Sequence, residues 1–211
     1  MSDTSEPRCL SLPAIVVLIA ACAVVTGLPY LDAGRFGMLG MITPVYAVAL
    51  LLVAYAPGRL GKKVRVAIGL GLVVALRLIC DLAVMACWIE PTGFSSPWNL
   101  GATVAMAACG LLLVGRVTEL SPLRVVGTGF AAAFLFFLIS NFGVWRTFPG
   151  TPDFPAYEQS LGGLVACYAA ALPFFRATLV ATVTWTAALF TRPALSLLCR
   201  PLPLRVAERA R

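Results

Sequence analysis

The sequence predicts an all-α integral membrane protein, a single domain over residues 1–211 that crosses the membrane six times with both termini in the cytoplasm. Hydrophobic residues make up 60% of the chain and charged residues 12%, with a mean hydropathy of +0.93. Soluble domains carry about 25% charged residues. The second observation is the number of long apolar runs, and the third is the placement of Lys and Arg between them.

Six apolar runs are long enough to cross a bilayer, which needs about 20 residues. They are residues 10–28, 38–56, 64–88, 100–116, 122–145 and 161–191, each bounded by Pro, Gly or charge. Because proline disrupts a helix, Pro173 is expected to divide the last run into an interfacial helix over about 158–172 and a span over 173–191. The remaining residues, 192–211, form a basic tail.

The first run has a second interpretation, a signal peptide cleaved near the small residues "ACA" at 21–23. Signal peptides begin with a basic segment, and the start "MSDTSEPR" is only weakly charged, which favours a retained span.

Lys and Arg alternate between rich and poor connections along the chain. The rich ones follow the second, fourth and sixth spans and hold Arg59, Lys62, Lys63, Arg65, Arg116, Arg124, Arg192, Arg200, Arg205, Arg209 and Arg211. The other connections hold only Arg35 and Arg146. Since cytoplasmic loops carry the excess of positive charge, both termini are predicted to be cytoplasmic. The net charge of +7 is thereby explained by orientation, and nucleic-acid binding is not expected.

Two absences exclude whole classes of function. The chain has no histidine, which excludes His-dependent metal sites and Ser-His or Cys-His nucleophiles. It also lacks the phosphate loop G-x-x-x-x-G-K-[ST], so it carries no ATPase of this type. The seven cysteines form no C-x-x-C pair and no zinc-like spacing.

The stretch "RLICDL", residues 77–82, interrupts the third span with charge. A charge at the centre of a membrane helix costs about 2.5 to 3.5 kcal/mol, so such residues usually serve a function. Arg77 and Asp81 lie one helical turn apart, and Cys80 shares a stripe with Arg77 and Cys87. At 1.5 Å per residue Cys80 lies about 22 Å from Arg65, in the outer half of the membrane.

The external connections are rich in aromatic residues, Gly and Pro. They read "PYLDAGRFGMLG", "WIEPTGFSSPWN" and "WRTFPGTPDFPAYEQS". Two interpretations stay open: an aromatic belt at the membrane interface, or loops that close over a large, mostly apolar ligand decorated with amides.

Two further motifs, "SNFGVW" at 140–145 and "GLVACYAAALPFF" at 163–175, join "RLICD" and the six-span layout. With these features the chain resembles the small cobalamin transporters of the BtuM type, which are similar to solitary substrate-binding S components of energy-coupling factor vitamin transporters. The resemblance implies an S-component-like bundle in a bacterial inner membrane. It implies cobalamin as the bound substrate, taken from the periplasmic side, and no cofactor of the protein's own.

The resemblance also assigns roles to residues. Cys80 corresponds to the cysteine that coordinates cobalt, and a soft thiolate suits late first-row metals. Asn141 and Trp145 are candidates for contacts with the corrin amides and ring face, or else mark an interfacial helix end. Tyr168 is either a pocket wall or a belt residue. Arg77 and Asp81 are expected to shape the site around Cys80, and Pro173, Phe174 and Phe175 to form a structural break and packing.

The candidate functions fall into three classes. The first is cobalamin uptake, and the second is thiol-dependent processing of cobalamin, in which Cys80 acts catalytically and an upper ligand such as cyanide is removed. The third is a membrane protein for an unrelated ligand. The first span lacks the Ala-x-x-x-Ala pattern through which S components dock on a shared energising module. A protein working in the bilayer without that module is therefore expected, with a shared one left open.

Overall fold

The computed structural model describes residues 8–27, 43–56, 62–87, 96–114, 120–148, 150 and 156–201. The described chain is mostly helical. Its helices are α1 (Leu12–Gly27), α2 (Val45–Ala54), α3 (Lys62–Cys87), α4 (Pro97–Ala108), which continues as a 3₁₀ helix (Cys109–Leu113), α5 (Pro122–Thr147), α6 (Leu161–Leu189) and α7 (Arg192–Leu198). Two short strands, β1 (Arg8–Leu10) and β2 (Cys199–Pro201), stand before α1 and after α7.

Several helices begin with a residue whose side-chain hydroxyl caps the first turn and which is followed directly by proline. The Ser96 hydroxyl accepts a hydrogen bond from the Asn99 N–H, and the Ser121 hydroxyl accepts one from the Arg124 N–H. Proline follows each of these serines, at the first helical position, where its missing N–H costs nothing. A side-chain oxygen of this kind satisfies an otherwise unpaired donor of the first turn. Ser96 and Ser121 therefore mark the starts of α4 and α5.

Three helices are long and apolar enough to cross a membrane: Lys63–Ala86, Pro122–Thr147 and Leu161–Leu189. Three shorter apolar helices accompany them, over Leu12–Gly27, Val45–Ala54 and Pro97–Leu113. All six coincide with predicted apolar runs, and the three long helices mark a membrane protein. The count of six crossings and the cytoplasmic position of the termini stay predictions.

The expected division at Pro173 is wrong. Helix α6 runs without interruption from Leu161 to Leu189, with Pro173 inside it. Proline removes a single backbone hydrogen bond and crowds the preceding turn, which can kink a helix without ending it. Apolar residues on both sides of Pro173 continue the helix, so residues 158–172 form no separate interfacial helix.

Helix α2 occupies the centre of the bundle. Nine of its ten residues are buried, and it packs against α1, α3, α4 and α6. The surrounding helices contact one another in order, α1 with α3, α3 with α4, α4 with α5 and α5 with α6. At about 1.5 Å per residue α2 is about 15 Å long, against about 39 Å for α3. The central helix is therefore less than half as long as its long neighbours.

The strands β1 and β2 form an antiparallel ladder between the two ends of the described chain. Arg8 pairs with Pro201 and Leu10 with Cys199. The Leu10 N–H also donates to the Tyr55 carbonyl at 2.8 Å, and the Ser11 N–H donates to the Leu198 carbonyl at 3.1 Å. The ladder adds two short strands to the mostly helical fold, and it shows that residues 192–201 of the predicted tail form a helix and a strand, while residues 202–211 lie outside the described residues. Leu10, Leu195 and Cys199 are buried, and burial of these apolar side chains accounts for the ordered ends.

Four described Lys and Arg side chains at helix ends, Lys63, Arg65, Arg124 and Arg192, lie at one end of the molecule, here called the basic end, whereas Arg146, in the last turn of α5, lies at the other. The Arg65 guanidinium donates to the Ala56 carbonyl, which places the start of α3 beside the end of α2. The Tyr55 ring packs on that of Phe190, at 6.0 Å between centroids, which adds the end of α6. Ser96, Trp145 and Leu161 belong to helix ends on the opposite side of the bundle.

Candidate functional site

Cys80 lies on the inner stripe of α3. Gly69, Val73, Leu76 and Cys80 are buried in succession along that helix, and the Cys80 side chain is 1% exposed. A Cβ on Gly69 would lie 2.8 Å from the Leu52 carbonyl oxygen, so α3 and α2 are in backbone contact there. Measured along α2, the start of that helix lies about 11 Å from this contact, and measured along α3, Cys80 lies about 16 Å from it. Both distances run toward the same end of the bundle. Cys80 therefore lies about one helical turn beyond the start of α2.

Two threonines form the polar surroundings of this position. The hydroxyls of Thr26, at the end of α1, and Thr43, before α2, share a hydrogen bond of 2.9 Å. The Thr43 hydroxyl also accepts from the Val45 N–H at 3.3 Å. Thr26 and Cys22, which lie one turn apart on α1, are both close to the Cys80 thiol. Cys80 thus lies where α1, α3 and the start of α2 meet.

Arg77 and Asp81 form an ion pair beside the thiol. A guanidinium nitrogen of Arg77 lies 2.7 Å from a carboxylate oxygen of Asp81, with the side chains 18% and 8% exposed. Both charges act on Cys80, which is the immediate chain neighbour of Asp81. Arg77 and Asp81 therefore lie beside the Cys80 thiol, and their contact is the one that a four-residue spacing on a helix predicts.

The other predicted site residues lie between α5 and α6 and are bonded to each other's helices. The Tyr168 hydroxyl donates to the Leu138 carbonyl at 2.7 Å, and the Cys167 thiol to the Asn141 carbonyl at 3.5 Å. The Asn141 amide nitrogen donates to the Phe137 carbonyl at 2.8 Å, which leaves its carbonyl oxygen as an acceptor. Tyr168 and Cys167 consequently bond α6 to the backbone of α5, whereas the Asn141 side chain bonds within α5.

Trp145, near the end of α5, is bonded to residues that directly precede α6. Its indole N–H donates to the Glu158 carbonyl at 2.9 Å, and the Gln159 amide donates to the Trp145 carbonyl at 2.7 Å. The ring packs on Phe142 at 5.4 Å between centroids. The polar edge of Trp145 is thus used within the protein, which favours its interpretation as a helix-end residue, with part of the ring still exposed.

A cavity of about 270 Å³ brings the two later motifs together. Ser140 and Asn141 of "SNFGVW" line it with Phe174 and Phe175 of "GLVACYAAALPFF". Asn99, from α4, also lines it and was not predicted. The signal for Asn99 was its place in the aromatic connection "FSSPWN", where a helix-starting serine and proline precede an amide by three and two residues.

The first turn of α2 lies between this cavity and Cys80. The Tyr46 ring packs on Phe136, which lines the cavity, at 4.6 Å between centroids. Thr43, just before that turn, belongs to the surroundings of Cys80. Cys80 itself is not among the residues that line the cavity. Two polar regions therefore flank the start of the central helix: the thiol with its ion pair, and the amide-lined cavity.

The region around Cys80 does not resemble a conventional metal site. Within the described ranges, no group of three or more Cys, Asp, Glu or His residues is placed to hold a metal ion. The thiol can supply one soft ligand, with Thr26 and the ion pair as its neighbours.

Comparison with known proteins gives a family but no described activity. No curated protein and no solved structure matches the chain. Residues 4–201, which is nearly the whole chain, match DUF6580, a family of unknown function, and the chain belongs to that family.

Proposed function

We propose that this protein takes up cobalamin across the bacterial inner membrane. In this proposal the chain crosses the membrane six times, both termini are cytoplasmic, and the ligand enters from the periplasmic side. The observation that carries it is the position of Cys80, a buried thiol framed by an ion pair at the start of a short central helix. The chain has no histidine that could serve as an alternative axial ligand.

Coordination by Cys80 suits a metal that arrives already bound by a macrocycle. A corrin ring holds cobalt through four equatorial nitrogens, so the protein needs to add a single axial ligand. Thiolate sulfur is a good ligand for such a metal. Because the Cys80 side chain is 1% exposed, binding requires the junction near Thr26 and Thr43 to open. Cobalamin binding is therefore coupled to a rearrangement at the start of α2.

The amide-lined cavity supports the same ligand. Corrin rings carry amide side chains on an apolar frame, and the cavity offers Asn99, Ser140 and Asn141 beside Phe174 and Phe175. Its volume of about 270 Å³ lies below the roughly 300–1,000 Å³ of typical small-molecule pockets. Once the first turn of α2, which separates the cavity from Cys80, has moved, the cavity would receive one edge of a corrinoid while Cys80 binds the metal.

Absorption spectroscopy of the purified full-length protein with cyanocobalamin tests the proposal. We expect the wild type to retain the corrinoid and to shift its absorption bands, and Cys80→Ala to lose that shift. The matched control is Cys167→Ala, because Cys167 is also buried and lies on α6 away from the ion pair.

Two outcomes would contradict the proposal. A wild type that neither retains cyanocobalamin nor changes its spectrum removes the cobalamin assignment. A shift that survives in Cys80→Ala removes the thiolate ligand. Uptake itself is tested by growth rescue of a bacterial host that lacks its own cobalamin importer.

A second function, removal of the upper ligand, is favoured by a second buried thiol, Cys22, one turn before Thr26 on α1. Two thiols that form a disulfide release two electrons and two protons. Those electrons reduce cobalt(III) to cobalt(I), cyanide leaves with its own electron pair, and one of the protons converts it to hydrogen cyanide. Free cyanide appearing once per protein in the wild type, and not in Cys22→Ala, supports this addition. Coordination of cobalamin without release of cyanide would contradict the second function and support only transport.

A further inference from the structure

A second cavity, of about 430 Å³, lies at the basic end between the start of α5 and the end of α6. Its apolar lining includes Val125 and Val126 of α5, with Ala187 and Phe190 at the end of the α6 segment. Among the described residues that line it, Arg192 is the charged one. The cavity therefore combines an apolar interior with a single cation.

The walls of this cavity differ in exposure. Val125 is buried, and so is Phe190, whose ring packs on Tyr55. Val126 and Ala187 are exposed on the outside of the bundle. Because α5 and α6 are two of the three helices long enough to cross a membrane, the exposed side of the cavity faces the bilayer near their ends. The cavity is consequently open to lipid from the side.

The described charged side chains near the cavity are positive. Arg192 is exposed, and Arg124 is exposed in the first turn of α5, at the same end of the molecule. The acidic residues in the described ranges are Asp81, within α3, and Glu158, beside Trp145 near the opposite end. Basic pockets between membrane helices on the cytoplasmic side attract anionic lipid head groups.

From these observations we infer that the cavity binds one anionic phospholipid. The head-group phosphate contacts Arg192, and part of an acyl chain lies between Val126 and Ala187, against Phe190. A lipid fits better than a polypeptide because the opening is lateral, toward the bilayer, and the interior is apolar. The inference depends on the chain spanning a membrane and does not depend on the cobalamin proposal.

Native mass spectrometry of the full-length protein in detergent, with added phosphatidylglycerol or phosphatidylcholine, tests the site. We expect phosphatidylglycerol to be retained more tightly. In Arg192→Gln its affinity should fall about fivefold, since one basic residue near an anionic head group is worth about that factor. Ala187→Trp, which fills the opening while leaving the charge, should lower retention of phosphatidylglycerol as well. Lys63→Gln removes a cation from the same end outside the cavity and should change nothing.

Three results would overturn the inference. Equal retention of the two lipids would show that the head-group charge is not recognised. An equal loss in Lys63→Gln and Arg192→Gln would assign the effect to general surface charge. Displacement of the lipid by inorganic phosphate at the same concentration would identify a soluble anion as the ligand. A monodisperse elution profile for each variant confirms folding, and Ala187→Trp keeps the test decisive if Arg192→Gln fails to fold.

Discussion

Arg77 and Asp81 place two opposite charges in a stretch of α3 that is otherwise apolar. Their contact of 2.7 Å is a close ion pair, and both side chains are largely withdrawn from solvent. Withdrawing two charges from water costs free energy that their attraction offsets only in part. The pair is therefore a weak source of stability, whereas removal of one partner leaves a charge in an apolar environment and is costly.

We expect Asp81→Asn to lower the free energy of unfolding by about 3 kcal/mol, because Arg77 then keeps its charge without the carboxylate. The double variant Arg77→Met with Asp81→Met should recover much of that loss, since it removes both charges together. Thermal unfolding in detergent measures both variants. A double variant as unstable as Asp81→Asn would show that the charges are needed for the fold beyond their mutual attraction.

The contacts of single residues could be predicted from the sequence where both partners lie close together in the chain. The Arg77–Asp81 pair follows from a four-residue spacing on one helix, and the structure contains it. The bonds of Trp145 and Tyr168 were not predicted, because their acceptors, the carbonyls of Glu158 and Leu138, are backbone groups 13 and 30 residues away. Almost every residue carries a carbonyl, so side-chain identity gives no signal for such partners.

Helix α2 is packed against its neighbours through glycines that admit direct backbone contact. A Cβ on Gly69 would meet the Leu52 carbonyl oxygen at 2.8 Å and the Val53 Cα at 2.9 Å. A Cβ on Gly110 would collide with the same helix, at the Leu50 carbonyl. Backbone atoms cannot move aside as the end of a flexible side chain can. The glycines therefore set the distance between α2 and the helices on two sides of it.

Gly69→Ala should consequently lower the free energy of unfolding by about 1–3 kcal/mol, the range for overpacking of a core. The matched control is Gly71→Ala on the same helix, where an added Cβ meets nothing within 4 Å. Alanine favours a helix over glycine by up to about 1 kcal/mol, so this control should be neutral or stabilising. Thermal unfolding in detergent compares the two, and equal effects would contradict the close contact.

The positions of the helices were largely predictable, and their continuity and burial were not. The apolar runs located α1 to α6, because Pro, Gly and charge end a run wherever they end a helix. Pro173 was misleading, since a proline predicts disruption but does not say whether the flanking turns continue. The central place of α2 was also hidden, because every candidate span is apolar and composition alone does not show which one is enclosed by protein.

The whole molecule has a basic end formed by residues that are far apart in the chain. Lys63, Arg65, Arg124 and Arg192 come from three connections that the sequence assigned to the cytoplasm. The structure brings these four side chains together at one end, which agrees with the alternation of charge. The positive-inside rule predicts that this end faces the cytoplasm.

Reporter fusions test this orientation. A fluorescent protein that folds only in the cytoplasm should fluoresce when fused after Arg211, and alkaline phosphatase, which folds only in the periplasm, should be active when fused after Gly150. Alkaline phosphatase fused after Val114 should be inactive, because that connection belongs to the basic end. Activity after Val114 with none after Gly150 would reverse the proposed orientation.

The arrangement of helices and the contact between chain ends could not be predicted from the sequence. Packing order depends on shape complementarity between side chains far apart in the chain, and three-residue strands give too short a pattern to detect. The sequence placed Arg77, Cys80 and Asp81 together because they share one helix, but it did not indicate Thr26 and Thr43, which come from other parts of the chain. Asn99, Asn141 and Phe175 meet at one cavity because α4, α5 and α6 pack side by side.

The ladder between β1 and β2 also has a consequence for the order of folding steps during synthesis of the chain. Leu10 pairs with Cys199, a separation of nearly the whole chain, and contacts between such distant residues are the slowest to form. The ribosome must release the last strand before the first can pair, so the three long helices are synthesised while this closure is still open. Closure of the ladder is therefore a late step of folding, and a nascent chain stalled before Cys199 would be left with Leu10 unpaired.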